Sequence, residues 1–146
     1  MPISLEKMEN VTDRARPARN RRRLTVEQVL VLARHLNRRD QILVDQVYRQ
    51  GVSIADAARL VNRPAKVMQR RLRKVIQRLG SPTFLCLVAR GDLLPRETRK
   101  VADMVICQGM SLRRAASSAR MSLYETRQHV QRVRVLASAH EAILER

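Results

Sequence analysis

Side chains that can bind the phosphates and base edges of DNA recur at helical spacing in the segment 66–77. The series consists of Lys66, Arg70, Arg73 and Gln77, spaced four, three and four residues apart. We call it the cationic series because three of its four members are cations. An apolar series with the same spacing lies on the opposite side. It consists of Met68, Leu72, Val75 and Leu79. The pattern predicts a helix that buries one face and presents a cationic face to DNA, flanked by Arg71, Lys74 and Arg78. A solvated charged helix without a ligand is the alternative.

A second polar series occupies residues 124–132. Its outward face is predicted to carry Tyr124, Gln128 and Gln131, with Arg127 and Arg132 beside them. The buried stripe of this helix is predicted to consist of Thr126, Val130, Val133 and Ala137. Because a glutamine side chain pairs well with the edge of adenine, this face is suited to reading bases more than to binding phosphates. The same face could equally contact protein.

Residues 1–23 carry a run of basic side chains without any core pattern. Six arginines, including Arg21, Arg22 and Arg23, fall within ten positions around Pro17. Such a stretch cannot bury enough apolar surface to fold alone, so we predict a disordered basic arm. Basic arms of this kind lie along phosphates or enter a minor groove. A solvated tail is the alternative.

The overall composition favours a nucleic-acid partner. The formal net charge of +17 is shared between the arm and both halves of the remaining chain, which points to a polyanion; an inert basic surface or an anionic membrane is the alternative. Only Tyr48, Phe84 and Tyr124 are aromatic, which argues against stacking platforms for single strands. The longest apolar run, Phe84–Ala89, is too short to cross a bilayer, and no secretory apolar core follows Met1. We expect a cytoplasmic, nucleoid-associated protein.

Patterns that would indicate catalysis or metal binding are missing from the sequence. His35, His129 and His140 lie far apart without ligand spacing, and the 13 carboxylates are scattered. Asp45 and Asp103 recur at one repeat position, which indicates helix salt bridges rather than an acid–base pair. The two cysteines stand alone in apolar runs and are predicted to be reduced core residues. We therefore expect no enzyme activity, no metal, no cofactor and no small-molecule substrate.

These segments belong to two copies of one pattern. Shifting the sequence by 58 residues lays Leu24–Leu79 on Pro82–Ala137 without a gap, and eleven positions then coincide. Each copy carries Gln-Gly-x-Ser-x-x-x-Ala-Ala followed by a second helical run, which is the outline of a helix-turn-helix. The repeat therefore assigns the two polar faces to the last helix of each copy.

Caps and breaks divide the two copies into helices. The first copy is predicted to form helices from Thr25, over Arg38–Gln50, over Ile54–Val61 and from Pro64 to Leu79. The second is predicted to form helices over Thr83–Arg90 and Pro95–Gln108, after Ser111, and from a capping box at Ser122 and Glu125. Helix ends are predicted at Gly51, Gly80, Gly91 and Gly109, and a turn residue with positive φ at Asn62. Without the alternation typical of strands, the sequence predicts an all-α fold with an arm (1–23) and two helix-turn-helix domains (24–80 and 81–146).

The two copies resemble a known DNA-binding module. The segment Leu36–Leu79 is similar to the fourth conserved region of bacterial sigma factors of the sigma-seventy class, at Leu36, Arg38, Gly51, Ser53, Ala58, Leu60, Met68 and Leu72. The segment Leu94–Leu136 is similar to a second copy of it, at Leu94, Pro95, Arg99, Gly109, Ser111, Ala116, Met121, Ser122 and Val130. The resemblance implies that the chain binds promoter DNA and touches RNA polymerase.

The resemblance also extends the set of predicted DNA contacts. The complete set consists of Arg63, Pro64, Ala65, Lys66, Gln69, Arg70, Arg73, Lys74, Ser122, Tyr124, Arg127, Gln128 and Gln131, together with Arg21, Arg22 and Arg23 of the arm. Two positions depart from the family pattern, because Arg63 stands where an apolar residue is usual and Arg120 stands where glycine is common. Nothing in the chain resembles the aromatic second region of those factors, so we do not expect it to initiate transcription alone.

The leading hypothesis is a sequence-specific transcriptional regulator that binds double-stranded DNA through two helix-turn-helix units. Such units act like a dimer fused head to tail and can span two half-sites. One alternative is a sigma-like adaptor that binds RNA polymerase or another regulator. The other is the DNA-recognition subunit of a recombination or transposition system, whose catalytic part would be another chain.

Overall fold

The computed structural model describes residues 24–144, with side chains described up to Glu141. All regular elements in this range are helices, which confirms the predicted all-α fold. The chain divides between Gly80 and Ser81 into two compact units. The predicted basic arm, with Arg21, Arg22 and Arg23, lies outside the described residues. None of the helices within 24–144 combines the length and the apolar content that crossing a membrane requires.

The first unit contains four α-helices: α1 (Val26–Leu32), α2 (Arg38–Val44), α3 (Ile54–Leu60) and α4 (Ala65–Leu79). The capping box predicted at the start of α1 is confirmed. The Thr25 hydroxyl accepts the backbone N–H of Gln28 at 3.2 Å, and the Gln28 side-chain oxygen accepts the backbone N–H of Thr25 at 2.9 Å. The helix predicted over 38–50 is found as α2 followed by a π turn (Asp45–Arg49).

The core of the first unit is formed by the inner faces of all four helices. Helices α1, α2 and α3 each pack against α4. The most deeply buried side chains are Val29, Leu43, Val44, Ala57, Leu72, Val75 and Leu79. The apolar stripe predicted for α4 is confirmed, because Met68, Leu72, Val75 and Leu79 are all buried. Helix α4 is therefore the central support of the unit, and only its outer face remains accessible.

The second unit repeats this arrangement with α5 (Pro82–Arg90), α6 (Arg96–Ala102), α7 (Leu112–Ala119) and α8 (Leu123–Leu144). A π turn (Asp103–Cys107) follows α6, as one follows α2 in the first unit. Helix α8 packs against α5, α6 and α7. The predicted stripe of Thr126, Val130, Val133 and Ala137 is buried. The last helix of each unit thus has the same relation to its own core.

Residues that are identical in the two copies explain how the second helix of each unit ends. In the first unit, the Gln50 side-chain amide donates to the Asp45 carboxylate at 3.0 Å, and Gly51 follows with φ +70°. In the second, the Gln108 amide donates to Asp103 at 2.8 Å, and Gly109 follows with φ +73°. The repeated Asp and Gln close the π turn, and the left-handed backbone after it favours glycine. The salt bridge predicted for the repeated aspartates is found for Asp45, which lies 3.3 Å from Arg49. Among the described residues it is not found for Asp103, where Cys107 stands at the position of Arg49.

Candidate nucleic-acid interface

A short helix and a tight turn position α4 in the first unit. The Ser53 hydroxyl caps α3 by accepting the backbone N–H of Asp56 at 3.1 Å. Ala57 and Ala58 are buried where α3 meets α4, and their small side chains let the two helices approach closely. Asn62 takes the predicted positive φ (+53°) in the turn that follows. The backbone N–H of Arg63 bonds to the carbonyl of Ala58 at 2.9 Å, which fixes the turn on the end of α3.

The outer face of α4 carries the predicted cationic series. Lys66, Arg70 and Lys74 are exposed, whereas Gln69, Arg73 and Gln77 are half-buried at the edges of the face. Arg63, Pro64 and Ala65 are exposed in the turn and at the start of the helix. Among residues 24–141, no carboxylate lies within ion-pair distance of Lys66, Arg70 or Lys74. Their charges are therefore available to an external anion.

Two arginines placed beside this face by the sequence pattern have a structural role instead. The Arg71 Nε atom lies 2.8 Å from Asp40 Oδ1, and Arg78 Nη1 lies 3.5 Å from Asp40 Oδ2. Asp40 is only 4% exposed and also accepts the side-chain amide of Asn37 at 2.8 Å. This cluster ties α4 to the first turn of α2. Sequence reasoning missed Asp40, although its place three residues after the helix-capping Asn37 marks it as a first-turn carboxylate.

The second unit positions α8 by equivalent contacts. The Ser111 hydroxyl caps α7 by accepting the backbone N–H of Arg114 at 3.1 Å, and Ala115 and Ala116 are buried behind it. Arg120 takes φ +55° at the position that Asn62 occupies in the first unit. The Ser122 hydroxyl accepts the backbone N–H of Glu125 at 3.1 Å, which supplies one half of the predicted capping box.

The outer face of α8 is exposed along the predicted polar series. Tyr124 is 70% exposed, and Gln128 and Gln131 follow it on the same face. Arg127 and Arg132 are exposed on either side, and Ser122 is exposed at the start of the helix. The structure therefore places all the predicted contact residues between 63 and 131 on the outside of α4, α8 or the turns before them. Gln69 and Arg73 are half-buried there, and the others are exposed.

A single hydrogen bond in the second unit replaces the ion cluster of the first. Thr98 and His129 occupy the positions of Asp40 and Arg71 in the repeat. The Thr98 hydroxyl and His129 Nδ1 are 2.9 Å apart, and Thr98 is fully buried. Both units therefore tie the outer helix to the helix two before it at the same place, by different chemistry.

The remaining reactive side chains do not form a further site among the described residues. Cys86 and Cys107 are buried and form no disulfide bond with each other, as predicted. Burial raises the pKa of the Cys86 thiol, although the charge of Arg90 lowers it in part, so a reactive thiolate is disfavoured there. Within the part of the chain that the structure describes, no group of three histidine, cysteine, aspartate or glutamate side chains is placed to hold a metal ion.

Comparison with known proteins gives no match: no protein-family model, no curated protein and no solved structure matches this chain.

Proposed function

We propose that this chain is a transcriptional regulator that binds double-stranded DNA through two helix-turn-helix units. The observation that carries the proposal is the outer face of α4, where Lys66, Arg70 and Lys74 are exposed and lie opposite a fully buried apolar stripe. A surface helix with one unpaired cationic face fits a polyanion better than it fits solvent alone. The net charge of +17 supports the same partner.

Helix α4 is suited to the major groove of B-DNA by its dimensions and by its exposed N-terminal end. An α-helix with its side chains is about 10–12 Å in diameter, which matches a groove about 12 Å wide. The start of α4, at Ala65 and Lys66, would point toward base edges, and Arg70 and Lys74 would contact phosphates. The Ala57–Ala58 contact sets the angle of α4 relative to α3, so it would control docking indirectly.

The test is a charge-removal series measured by fluorescence anisotropy on duplex DNA at several salt concentrations. We expect Lys66→Gln/Arg70→Gln/Lys74→Gln to weaken binding and to reduce the slope of log K against log[salt] by about 1.8, at about 0.9 for each of the two phosphate contacts that Arg70 and Lys74 lose. The matched control is Arg90→Gln/Arg96→Gln/Lys100→Gln, which removes the same charge from exposed residues outside the α7–α8 pair. If the two variants bind alike, the cationic face of α4 is not the interface and the proposal fails.

A second candidate function is that of an adaptor that binds RNA polymerase or another regulator, and one surface of the first unit favours it. A groove of about 390 Å³ is lined by the exposed apolar side chains of Ile42, Val61 and Val67, with Arg39 and Arg63 at its rim. The equivalent positions in the second unit are Lys100, Ala119 and Glu125, so the second unit does not repeat this apolar lining. The similarity of Leu36–Leu79 to a sigma-factor region supports the same partner.

The adaptor function predicts that the uncharged substitutions Val61→Ser/Val67→Ser abolish co-purification with RNA polymerase and leave duplex binding unchanged. Both residues are exposed, so the variant is expected to fold. Unchanged recovery of polymerase with the variant, or no recovery with the wild-type chain, would exclude this function.

A further inference from the structure

We infer that the two units have different tasks, and that Gln128 and Gln131 make the second unit the one that selects DNA sequence, by recognising adenine. The inference rests on the proposed DNA-binding function and concerns how that function is divided between the two units. The first unit then supplies affinity that depends little on sequence. The argument compares α4 and α8 position by position, because the two helices have the same relation to their own cores.

The outer faces differ at three equivalent positions, two of them exposed in α4 and the third, Arg73, at the half-buried edge of the α4 face. Tyr124, Gln128 and Gln131 of α8 replace Lys66, Arg70 and Arg73 of α4. The buried stripes behind them correspond residue by residue, since Thr126, Val130, Val133 and Ala137 stand for Met68, Leu72, Val75 and Leu79. The replaced side chains therefore project in the same direction from equivalent helices. Three cations in the first unit have become three uncharged groups in the second.

Uncharged side chains contribute to DNA binding by a different route from cations. Lysine and arginine attract phosphates whatever the sequence, and this attraction supplies most non-specific affinity. A glutamine amide has no net charge to offer a phosphate, but it can donate to N7 and accept from N6 of adenine at the same time. A face that carries Gln128 and Gln131 between Arg127 and Arg132 is thus less suited to sequence-independent binding than the outer face of α4, and better suited to base recognition.

The spacing of the two glutamines matches the spacing of stacked base pairs. Gln128 and Gln131 are three residues apart, which corresponds to about 4.5 Å along a helix axis. Successive base pairs are about 3.4 Å apart along the duplex. Two side chains on one face at this distance can reach neighbouring base pairs, so the preferred site should contain adenines at adjacent or nearly adjacent positions.

The start of α8 is also held more firmly by side chains than the start of α4. Ser122 caps α8, and the Thr126 hydroxyl donates to the Ser122 carbonyl at 2.9 Å. At the start of α4, the cap position is Pro64, which makes no side-chain cap bond. Base recognition needs a reading face whose orientation is fixed, and phosphate binding tolerates more variation.

The experiment compares matched variants at equivalent positions of the full chain: Gln128→Ala/Gln131→Ala in the second unit and Arg70→Ala/Arg73→Ala in the first. The probes are a duplex that the wild-type chain selects from a random pool, an unrelated duplex of equal length, and the selected duplex with 7-deazaadenine in place of its preferred adenines. 7-Deazaadenine lacks the N7 acceptor and keeps the Watson–Crick pair. Circular dichroism shows whether each variant is folded.

In the glutamine variant, we expect the ratio of affinities for the selected and the unrelated duplex to fall by about 5- to 150-fold for each glutamine removed. Its affinity for the unrelated duplex and its salt slope should be unchanged. 7-Deazaadenine should weaken the wild-type chain and leave the glutamine variant unaffected. The arginine variant should weaken binding to both duplexes by a similar factor and reduce the salt slope by about 2.

The outcomes separate this inference from the proposed function. If the selected site lacks adenines whose recognition depends on Gln128 and Gln131, or if the glutamine variant weakens both duplexes equally, the division of tasks is wrong while DNA binding stands. A preference that is lost in the arginine variant and kept in the glutamine variant would reverse the assignment. If the wild-type chain binds no duplex, or the arginine variant binds both duplexes as tightly as the wild type, the proposed function itself fails.

Discussion

Removing the Asp40 carboxylate is expected to destabilise the first unit specifically. Asp40 is 4% exposed and is the shared partner of Arg71 at 2.8 Å and Arg78 at 3.5 Å. Asp40→Ala leaves both guanidinium groups without this partner and removes the acceptor of the Asn37 amide. Since these contacts tie α4 to α2, the loss should fall on the element that presents the cationic face.

The magnitude follows from how exposed the two arginines are. Breaking a fully buried ion pair costs about 3–5 kcal/mol, whereas losing a charge-assisted hydrogen bond costs about 1.5–3 kcal/mol. The side chains of Arg71 and Arg78 are 35% and 25% exposed, so water can solvate them once Asp40 is gone. We therefore expect Asp40→Ala to lower the free energy of unfolding of this unit by about 2–3 kcal/mol.

Amide hydrogen exchange on the full chain measures this loss unit by unit. A loss of 2–3 kcal/mol corresponds to exchange about 30- to 150-fold faster for the protected amides of α2 and α4. The amides of α6 and α8 serve as the internal control and should exchange at the wild-type rate. Exchange in α4 within threefold of wild type would refute a structural role for Asp40.

The second unit supplies a rescue variant for the same prediction. Because Thr98 and His129 are hydrogen-bonded at the equivalent positions, Asp40→Thr/Arg71→His should recover part of the stability that Asp40→Thr alone removes. Adding Arg78→Leu, which copies Leu136, should recover more by removing the second arginine that contacts Asp40 in the wild type. A double variant no more stable than Asp40→Thr would show that the two positions are not interchangeable.

Three further substitutions test local features of the fold. The Tyr48 hydroxyl is buried and, among the described residues, has no hydrogen-bond partner, so Tyr48→Phe should stabilise the first unit by about 0.5–1 kcal/mol in urea unfolding. Burial raises the pKa of Tyr48 to about 12 from 10.0. Because the phenol ionises first in the unfolded chain, the wild type should lose stability between pH 10 and 12, and Tyr48→Phe should lose less stability over the same range. Arg120→Gly should slow amide exchange in α7 and α8 by an amount equivalent to about 0.5 kcal/mol, because it relieves the left-handed backbone at φ +55°; faster exchange would contradict this. Ala57→Leu should destabilise the first unit by about 1–3 kcal/mol and weaken duplex binding by displacing α4, whereas the exposed Ala55→Leu should do neither.

Local patterns in the sequence were sufficient to predict the helices and the orientation of α4 and α8. Capping residues such as Ser53 and Ser111 act on amides three positions away, and a buried stripe recurs every three or four residues. Each of these interactions is contained within one element or one turn. Their outcome therefore depends little on the rest of the chain, which is why Asn62 could be assigned a positive φ without knowledge of the fold.

The buried cluster of the first unit could not be predicted in this way. Asp40 and Arg71 are 31 positions apart, and each belongs to a residue type that is rarely buried. A helical wheel therefore places Arg71 and Arg78 on the solvated side of α4. Only the packing of α4 against α2 shows that these two arginines point to a carboxylate and leave the outer face to Lys66, Arg70 and Lys74.

Asp40 and Arg71 of the first unit are replaced by Thr98 and His129 in the second, and this replacement helps to explain why the two outer helices present different surfaces. The cluster at this position joins one carboxylate to two arginines of the outer helix of the first unit, so it leaves one net positive charge close to a face that already carries Lys66, Arg70 and Lys74. A threonine hydroxyl paired with a histidine ring gives a hydrogen bond at the same place without requiring a fixed charge. The second unit can therefore keep its outer helix in position while the surrounding potential becomes less positive. Since a strongly positive potential favours any phosphate backbone, lowering it would raise the share of the binding free energy that contacts to base edges supply in the proposed complex.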